Sequence, residues 1–563
     1  MSQQSEASCR NMRAVPHRIG TSKKPGEGRA SSLAVLGLGA CFVLWASLFI
    51  YRSSVLAFDG NRYFVLFDDA MISMRYGWNL AHGLGLVWNA GEYVEGYTNP
   101  LMTLVMALAS AFLDKSGAVL AVQIFGVVLM LANAYLVLRI AEHLFLDGIH
   151  RHRGLFRVLA FLCGLSYYPL LFWSLLGMET GLLAVLVSLS VLFTLRYVRD
   201  RRPAQGVLVS VSLGLAFLAR PDAVVFALPV FAYAFYGAPK AFAPSRLLAL
   251  FGPLALFVAG HQAFRWLYYG ELLPNTYTLK VSGMPLLERI TNGTSFVVPF
   301  LGEVWVVLVL AGAALFFDRR RGTLFLLGIF AVTLLYQVWT GGDAWDLWRI
   351  FSPAMPLMLV LAAWTIFRAV AAVSGTAAFR GFSTRNPALR LLPGLFSVLA
   401  ILAVLCVVNL RFVPEITMQR QSEEEYLNER RMSVVLALEE FTTPDASVGL
   451  FGVGTIPYYT GLYGIDFLGK MDPRIAHLPP DLAHPRPGHN KYDLEYSIKE
   501  LRPTHVQSFE WYDKSVLDWA QDEYVGVKYK DAHLNLLKDS DEVRWDKINA
   551  AVDAGEASLT TPR

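Results

Sequence analysis

The sequence predicts a mainly α polytopic membrane protein with about eleven transmembrane helices and a C-terminal extracytoplasmic α/β domain. Three observations predict it. The 563-residue chain is 55% hydrophobic and only 17% charged, with a mean hydropathy of +0.42. Soluble proteins run at about 45–50% apolar and about 25% charged. Apolar runs close to the roughly 20 residues that cross a bilayer recur as far as residue 411. From 412 onward the composition turns charged and polar, and helix-like and strand-like segments alternate loosely.

The elements follow in chain order. Residues 1–30 form a basic tail carrying Arg10, Arg13, Arg18, Lys23, Lys24 and Arg29. The apolar stretch 31–51 exceeds the roughly 7–15 residues of a signal peptide, so it reads as a retained helix with its basic flank in the cytoplasm. The first outer loop runs over 52–116. Within it, 100–113 is apolar but short, as interfacial or re-entrant helices are. Further spans are expected at 117–141, 155–175, 180–197, 206–219, 223–237, 246–268, 296–317, 322–340, 350–371 and 391–411. The basic loops at 150–153, 199–202, 240–246, 318–321 and 380–390 share one side only if 100–113 does not cross. It is therefore expected to be a juxtamembrane helix within a transmembrane domain over 31–411. The N-terminus then lies inside and the 412–563 domain outside, as in a multi-pass plasma-membrane protein.

Composition also excludes some classes. The net charge of +4 gives no signal for nucleic acid. Cys9, Cys41, Cys163 and Cys406 offer no plausible disulfide pair. His477, His484 and His489 lack the tight spacing of a zinc site.

The chemistry-bearing residues fall on the outer side. Asp68 and Asp69 follow the first span. Their plain reading is a helix N-cap and a first-turn acid favoured by the helix dipole. Their functional reading is a general base facing water while lipid-borne groups reach it laterally. Two such close carboxylates raise one another's pKa unless a cation or metal intervenes. Arg75 lies two turns on and can share a face with Asp68. Glu95, Tyr97 and Asn99 precede the juxtamembrane helix, and Asn99-Pro100 also reads as an ordinary helix entry. Glu179, and Arg220 with Asp222 around Pro221, lie in tight turns between spans. They read either as interfacial ion pairs or, being ionisable at membrane depth, as functional groups. Asp343, Asp346 and Arg349 lie among Trp339, Trp345 and Trp348. The tryptophans fit an aromatic belt, whereas Arg349 can grip a phosphate bidentately. The Gly452-Val-Gly454 turn after a strand is a weak nucleotide-loop signal without its third glycine.

These segments resemble the C-type superfamily of membrane glycosyltransferases that use polyprenyl-phosphate sugars. The resemblance rests on Asp68-Asp69 after the first span, on Val94-Glu-Gly-Tyr-Thr-Asn-Pro100 before the juxtamembrane helix, and on the many spans leading to an outer domain. With Gly85-Leu-Val-Trp-Asn89 and the later Gly341-Gly-Asp343, the pattern looks most like bacterial cell-wall arabinofuranosyltransferases that add terminal residues. The resemblance implies an inverting transfer from a polyprenyl-phosphate sugar to a cell-envelope glycan or lipid-linked saccharide. It makes Asp68, or Asp69 as the close alternative, the catalytic base. Arg75, Arg220 and Arg349 are then the cations for the leaving phosphate. Glu95, Tyr97, Asn99, Glu179, Asp222 and Asp343 complete the expected substrate contacts. No metal ligand set is expected, though a divalent cation such as Mg or Mn can bridge phosphate and carboxylates in such a site. The rival class is a transporter or glycolipid flippase. Against it, the charge clusters lie at span ends rather than at mid-membrane, and no internal repeat is visible.

Overall fold

The computed structural model describes residues 25–146, 149, 152–237, 243–317, 321–345, 347–377, 380, 387–512 and 514–562. Among the described residues, eight helices are long and apolar enough to cross a membrane: Arg29–Ser53, Lys115–Phe145, Thr180–Asp200, Pro244–Tyr269, Leu286–Phe317, Arg321–Thr340, Ser352–Ser374 and Leu389–Val408. Their outward faces carry bare aliphatic and aromatic side chains, with Leu267 78% and Phe316 85% exposed. Such faces suit contact with lipid.

The remaining expected spans are less regular. The segment 155–175 is not one rod but two helices, Arg153–Leu165 and Tyr168–Leu175, meeting at 54°. Pro169 has no N–H to continue the ladder. The broken backbone is satisfied by Asn409, whose amide donates to the Ser166 carbonyl (2.6 Å) and accepts from the Tyr168 N–H (2.8 Å). The segments 206–219 and 223–237 form two short helices, Pro203–Ala219 and Ala227–Gly237, joined by a 3-10 turn over Pro221–Phe226. Among the described residues, eight helices, or nine with the bent pair, pass by length and composition, and Pro203–Ala219 and Pro221–Gly237 are shorter apolar helices, so the expected eleven is not reached by this criterion alone.

The loop after the first span folds into two helices, Asp68–Ala81 and Pro100–Ser110. The second has 11 residues. At 1.5 Å per residue it covers about 16 Å, too little for a hydrocarbon core of about 30 Å. The two helices pack so closely that a Cβ on Gly77 would lie 2.8 Å from the Ala107 nitrogen.

The C-terminal domain opens with the helix Glu423–Phe441. Ser422 and Glu425 cap it reciprocally. A six-stranded mixed sheet follows, in the order Ala557–Thr560, Tyr524–Tyr529, Ala532–Leu537, His505–Val506, Ser447–Leu450, Tyr463–Asp466. Ser447–Leu450 is parallel to both of its neighbours, and the other pairings are antiparallel. The main core runs without interruption from the spanning helices into this domain, through Met432, Val435, Val448, Leu450 and Ile456. A smaller core around Phe467, Ile498, Val506 and Phe509 lies elsewhere in the domain.

Candidate active site

A cavity of about 1300 Å³ opens where the first loop, the ends of the spanning helices and the C-terminal domain meet. Asp68 and Asp69 both line it. The N-cap of their helix is Phe67, with no side-chain cap, so neither carboxylate caps its own helix. Each is turned instead toward a distant part of the chain.

Asp68 is held by the C-terminal domain. Its Oδ1 accepts from the Thr455 N–H (2.9 Å) and its Oδ2 from the Gly454 N–H (3.2 Å). Arg431 Nε lies 3.6 Å from Oδ1. The Gly452-Val-Gly454 turn thus wraps a carboxylate of the protein. A Cβ on Gly454 would stand 1.9 Å from the Asp68 carbonyl oxygen, which only glycine avoids. Glu424 completes the group. Its Oε1 accepts the Asp68 backbone N–H (3.1 Å) and an Arg431 Nη1 proton (2.6 Å). Burial raises the Glu424 carboxyl, Arg431 opposes the rise and Asp68 adds to it, leaving it at about 7.

Asp69 is held by cations. Lys470 Nζ lies 2.7 Å from Oδ1, while Arg349 Nη1 (3.4 Å) and the Trp345 indole N–H (3.2 Å) reach Oδ2. Burial pushes its pKa up, but Lys470 and Arg349 outweigh burial and hold it well below the carboxylate range. Arg349 also forks onto Asp343 with bonds of 3.0 and 2.8 Å. Lys280 acts on the same group, and burial followed by Arg349 lowers its own pKa to about 8. Asp69 and Asp343 therefore meet three cations, of which only Lys470 lines the cavity while Arg349 and Lys280 lie behind it. That small positive excess is suited to an incoming anion. Asp346 lies outside the described residues.

The other expected residues fall elsewhere. Arg75, expected to face a phosphate, is buried among acceptors of the protein itself. It donates to the carbonyls of Trp88 (2.6 Å), Pro457 (2.5 Å) and Leu462 (2.8 Å) and to Asn89 (3.1 Å), so it fastens the first loop to the C-terminal domain. Glu95 is buried against Arg265 at 2.5 Å. Tyr97 accepts from the Tyr269 hydroxyl (3.2 Å). Asn99 donates to Glu179 (2.9 Å), which also takes Arg220 (2.7 Å), and Arg220 in turn binds Asp222 (2.9 Å). None of these seven side chains lines the cavity. The Asn99–Glu179–Arg220–Asp222 chain adjoins the site only electrostatically, since Arg220 acts on Asp343 and Arg349.

Sequence reasoning missed Glu424, Arg431, Lys470, Lys280 and Arg265. Only Gly452–Gly454 gave a signal, the weak one of a nucleotide loop, and the structure turns it onto Asp68 instead. The carboxylates are already engaged by groups of the protein. Asp68 and Asp69 already accept from amides and cations at both oxygens, and Asp343 from both arms of Arg349. Among the described residues no group of three metal-ligating side chains converges.

A family model described as a domain of unknown function, DUF8728, matches residues 415–544. The comparison with curated proteins finds no match. The solved structures similar in fold include the following three. ArnT from Cupriavidus metallidurans bound to undecaprenyl phosphate has a TM-score of 0.48 at 10% identity, over 77% of this chain and 87% of that one. The Archaeoglobus fulgidus oligosaccharyltransferase in its apo form has a TM-score of 0.46 at 13% identity, over 79% and 65%. Arabinosyltransferase EmbB from Mycobacterium smegmatis has a TM-score of 0.38 at 13% identity, over 66% and 41%.

Proposed function

We propose that this chain is an inverting glycosyltransferase that moves a sugar, in our reading arabinofuranosyl, from a polyprenyl-phosphate donor to a cell-envelope glycan or lipid-linked saccharide. The observation that carries the reading is one cavity lined by two adjacent carboxylates with opposite surroundings. Asp69 is bound to cations, whereas Asp68 is held chiefly by backbone amides.

Those surroundings divide the labour. The acceptor hydroxyl oxygen attacks the anomeric carbon as the bond from that carbon to the phosphate oxygen breaks. The electron pair leaves with the lipid phosphate, and the hydroxyl proton passes to Asp68. Asp69 is a poor base, because Lys470 and Arg349 stabilise its charged form. Its role is to gather those two cations where the leaving phosphate develops charge. An ionised carboxylate nearby also stabilises an oxocarbenium-like transition state. The lipid chain enters past Tyr168, Phe172 and Phe296, apolar lining residues on the helices of the membrane part. The positive-inside pattern of the basic loops supports reading this site as extracytoplasmic, on the plasma membrane. Cations of the protein neutralise the phosphate, and we assign no divalent ion to the step.

The test is transfer by the purified full chain in nanodiscs, offered a panel of polyprenyl-phosphate sugars and a short glycan acceptor. A product of inverted anomeric configuration is expected from one donor. Absence of product from every donor, with lipid-linked sugar crossing proteoliposome membranes instead, would establish the transporter reading.

A further inference from the structure

The cavity wall formed by the C-terminal domain is aromatic, and no step above uses it. Phe451 follows the strand Ser447–Leu450, and Trp511 lies on a small hairpin of Glu510–Trp511 with Lys514–Ser515. Both rings are half-buried and line the cavity. They stack at 4.4 Å with 13° between their planes. His489 lies nearly parallel to Trp511 at 6.3 Å and meets Trp345 at 5.9 Å, edge to face. The strip therefore runs from Phe451 to the indole that donates to Asp69. At its other end Phe451 adjoins Gly452, where a Cβ would lie 3.4 Å from Asp68 Oδ2. Both ends of the strip meet the proposed catalytic pair.

The rings are fixed in place. Trp511 donates its indole N–H to the His489 carbonyl (3.1 Å). Phe467 meets Phe451 edge-on at 5.1 Å. Gln507 accepts the N–H groups of Phe451 (2.8 Å) and Gly452 (3.1 Å). Burial, with Lys470 and Arg486 nearby, lowers His489 to about 3, so it is neutral at pH 7. A pre-fixed aromatic surface binds with little ordering cost.

The chemistry of the occupant follows. A sugar ring presents a face of C–H groups and a rim of hydroxyls. It matches flat neutral rings edged by Gln507 and Arg486, both of which line the cavity. A polyprenyl tail is soluble only in the bilayer, and this wall belongs to the polar domain beyond the spanning helices. At about 1300 Å³ the cavity exceeds the roughly 300–1,000 Å³ that encloses one drug-sized ligand, as a site for two substrates must. We infer that Phe451, Trp511 and His489 form an acceptor subsite that stacks a sugar ring one or more residues back from the attacking hydroxyl. The protein then selects oligosaccharide acceptors over single sugars, and the domain matched by DUF8728 reads the acceptor. The inference rests on the glycosyltransferase reading above.

The experiment compares acceptors of one to six arabinofuranose residues with the full chain in nanodiscs, using Trp511→Ala, Phe451→Leu and Trp511→Phe beside wild type. Wild type is expected to favour the six-residue acceptor in kcat/KM. Trp511→Ala and Phe451→Leu should cut the six-to-one ratio about tenfold through acceptor KM, while Trp511→Phe retains most of it. An unchanged ratio would overturn the subsite. So would a parallel loss for every acceptor together with a raised donor KM, the mark of a merely structural tryptophan. If wild type transfers nothing, saturation-transfer NMR of the six-residue oligosaccharide separates the two readings. Binding that Trp511→Ala abolishes upholds the subsite without the enzyme, and no binding to wild type removes both.

Discussion

At the residue scale the site is an asymmetric pair. Asp68 and Asp69 are chemically identical and adjacent, yet one accepts amide hydrogens and the other meets Lys470 and Arg349. Asp69→Asn should therefore lower kcat and also raise donor KM, because it loosens the cation cluster that stabilises the leaving phosphate while leaving the base in place. Lys470→Ala should do the same, and steady-state kinetics against donor concentration checks both. Glu424 makes a pH prediction with a definite sign. Its carboxyl sits at about 7 in the fold, above its ordinary 4.5, so the folded state holds the proton more tightly than the unfolded one. The stability it contributes is present below about 4.5 and is lost as pH rises through about 7. The thermal midpoint of wild type relative to Glu424→Gln should accordingly fall between pH 5 and pH 8. A constant difference would contradict the assignment. Asp68 and Asp69 stand out in the sequence because two carboxylates after a first span have few plain uses, and the fold brings both to the cavity. Arg75 was misread because its acceptors, Pro457 and Leu462, lie more than 380 residues away in the chain. A helical face says where a side chain can point and not what covers it.

At the element scale, breaks matter as much as rods. The 54° bend near Pro169 turns Tyr168, Phe172 and Trp173 into the cavity, and Asn409 fills the hydrogen bonds that the bend opens. Asn409→Ala leaves the buried Tyr168 N–H and the Ser166 carbonyl unpaired, a cost of about 1–3 kcal/mol per orphaned group. A lower thermal midpoint checks this, whereas Asn409→Asp should retain the bond to the Tyr168 N–H and lose less. The Gly454 turn is equally constrained. Gly454→Ala forces its Cβ against the Asp68 carbonyl, so the base must move, and misplacement by about 1 Å can cost about 10²-fold in rate. Helices in the membrane were legible from apolar run length. Their interruptions were not, since 155–175 reads as one continuous apolar stretch and the partner that stabilises its break, Asn409, is remote.

At the scale of the whole molecule, the C-terminal domain is part of the site. It supplies Glu424, Arg431, Gly454, Thr455 and Lys470 to the two carboxylates of the first loop. The core is continuous across the junction, so the cavity is a seam within one folded unit. The sequence shows this domain as a change of composition. It does not show the seam, because contacts spanning some 390 residues leave no local pattern. The measurement that bears most directly on the site is donor turnover by Asp68→Asn beside wild type in nanodiscs, with thermal unfolding recorded on the same samples. A base at Asp68 predicts a loss of about 10²–10⁴-fold in kcat at an unchanged thermal midpoint. Transfer within a few-fold of wild type, in a variant that folds equally well, would contradict it and move the proton to another group.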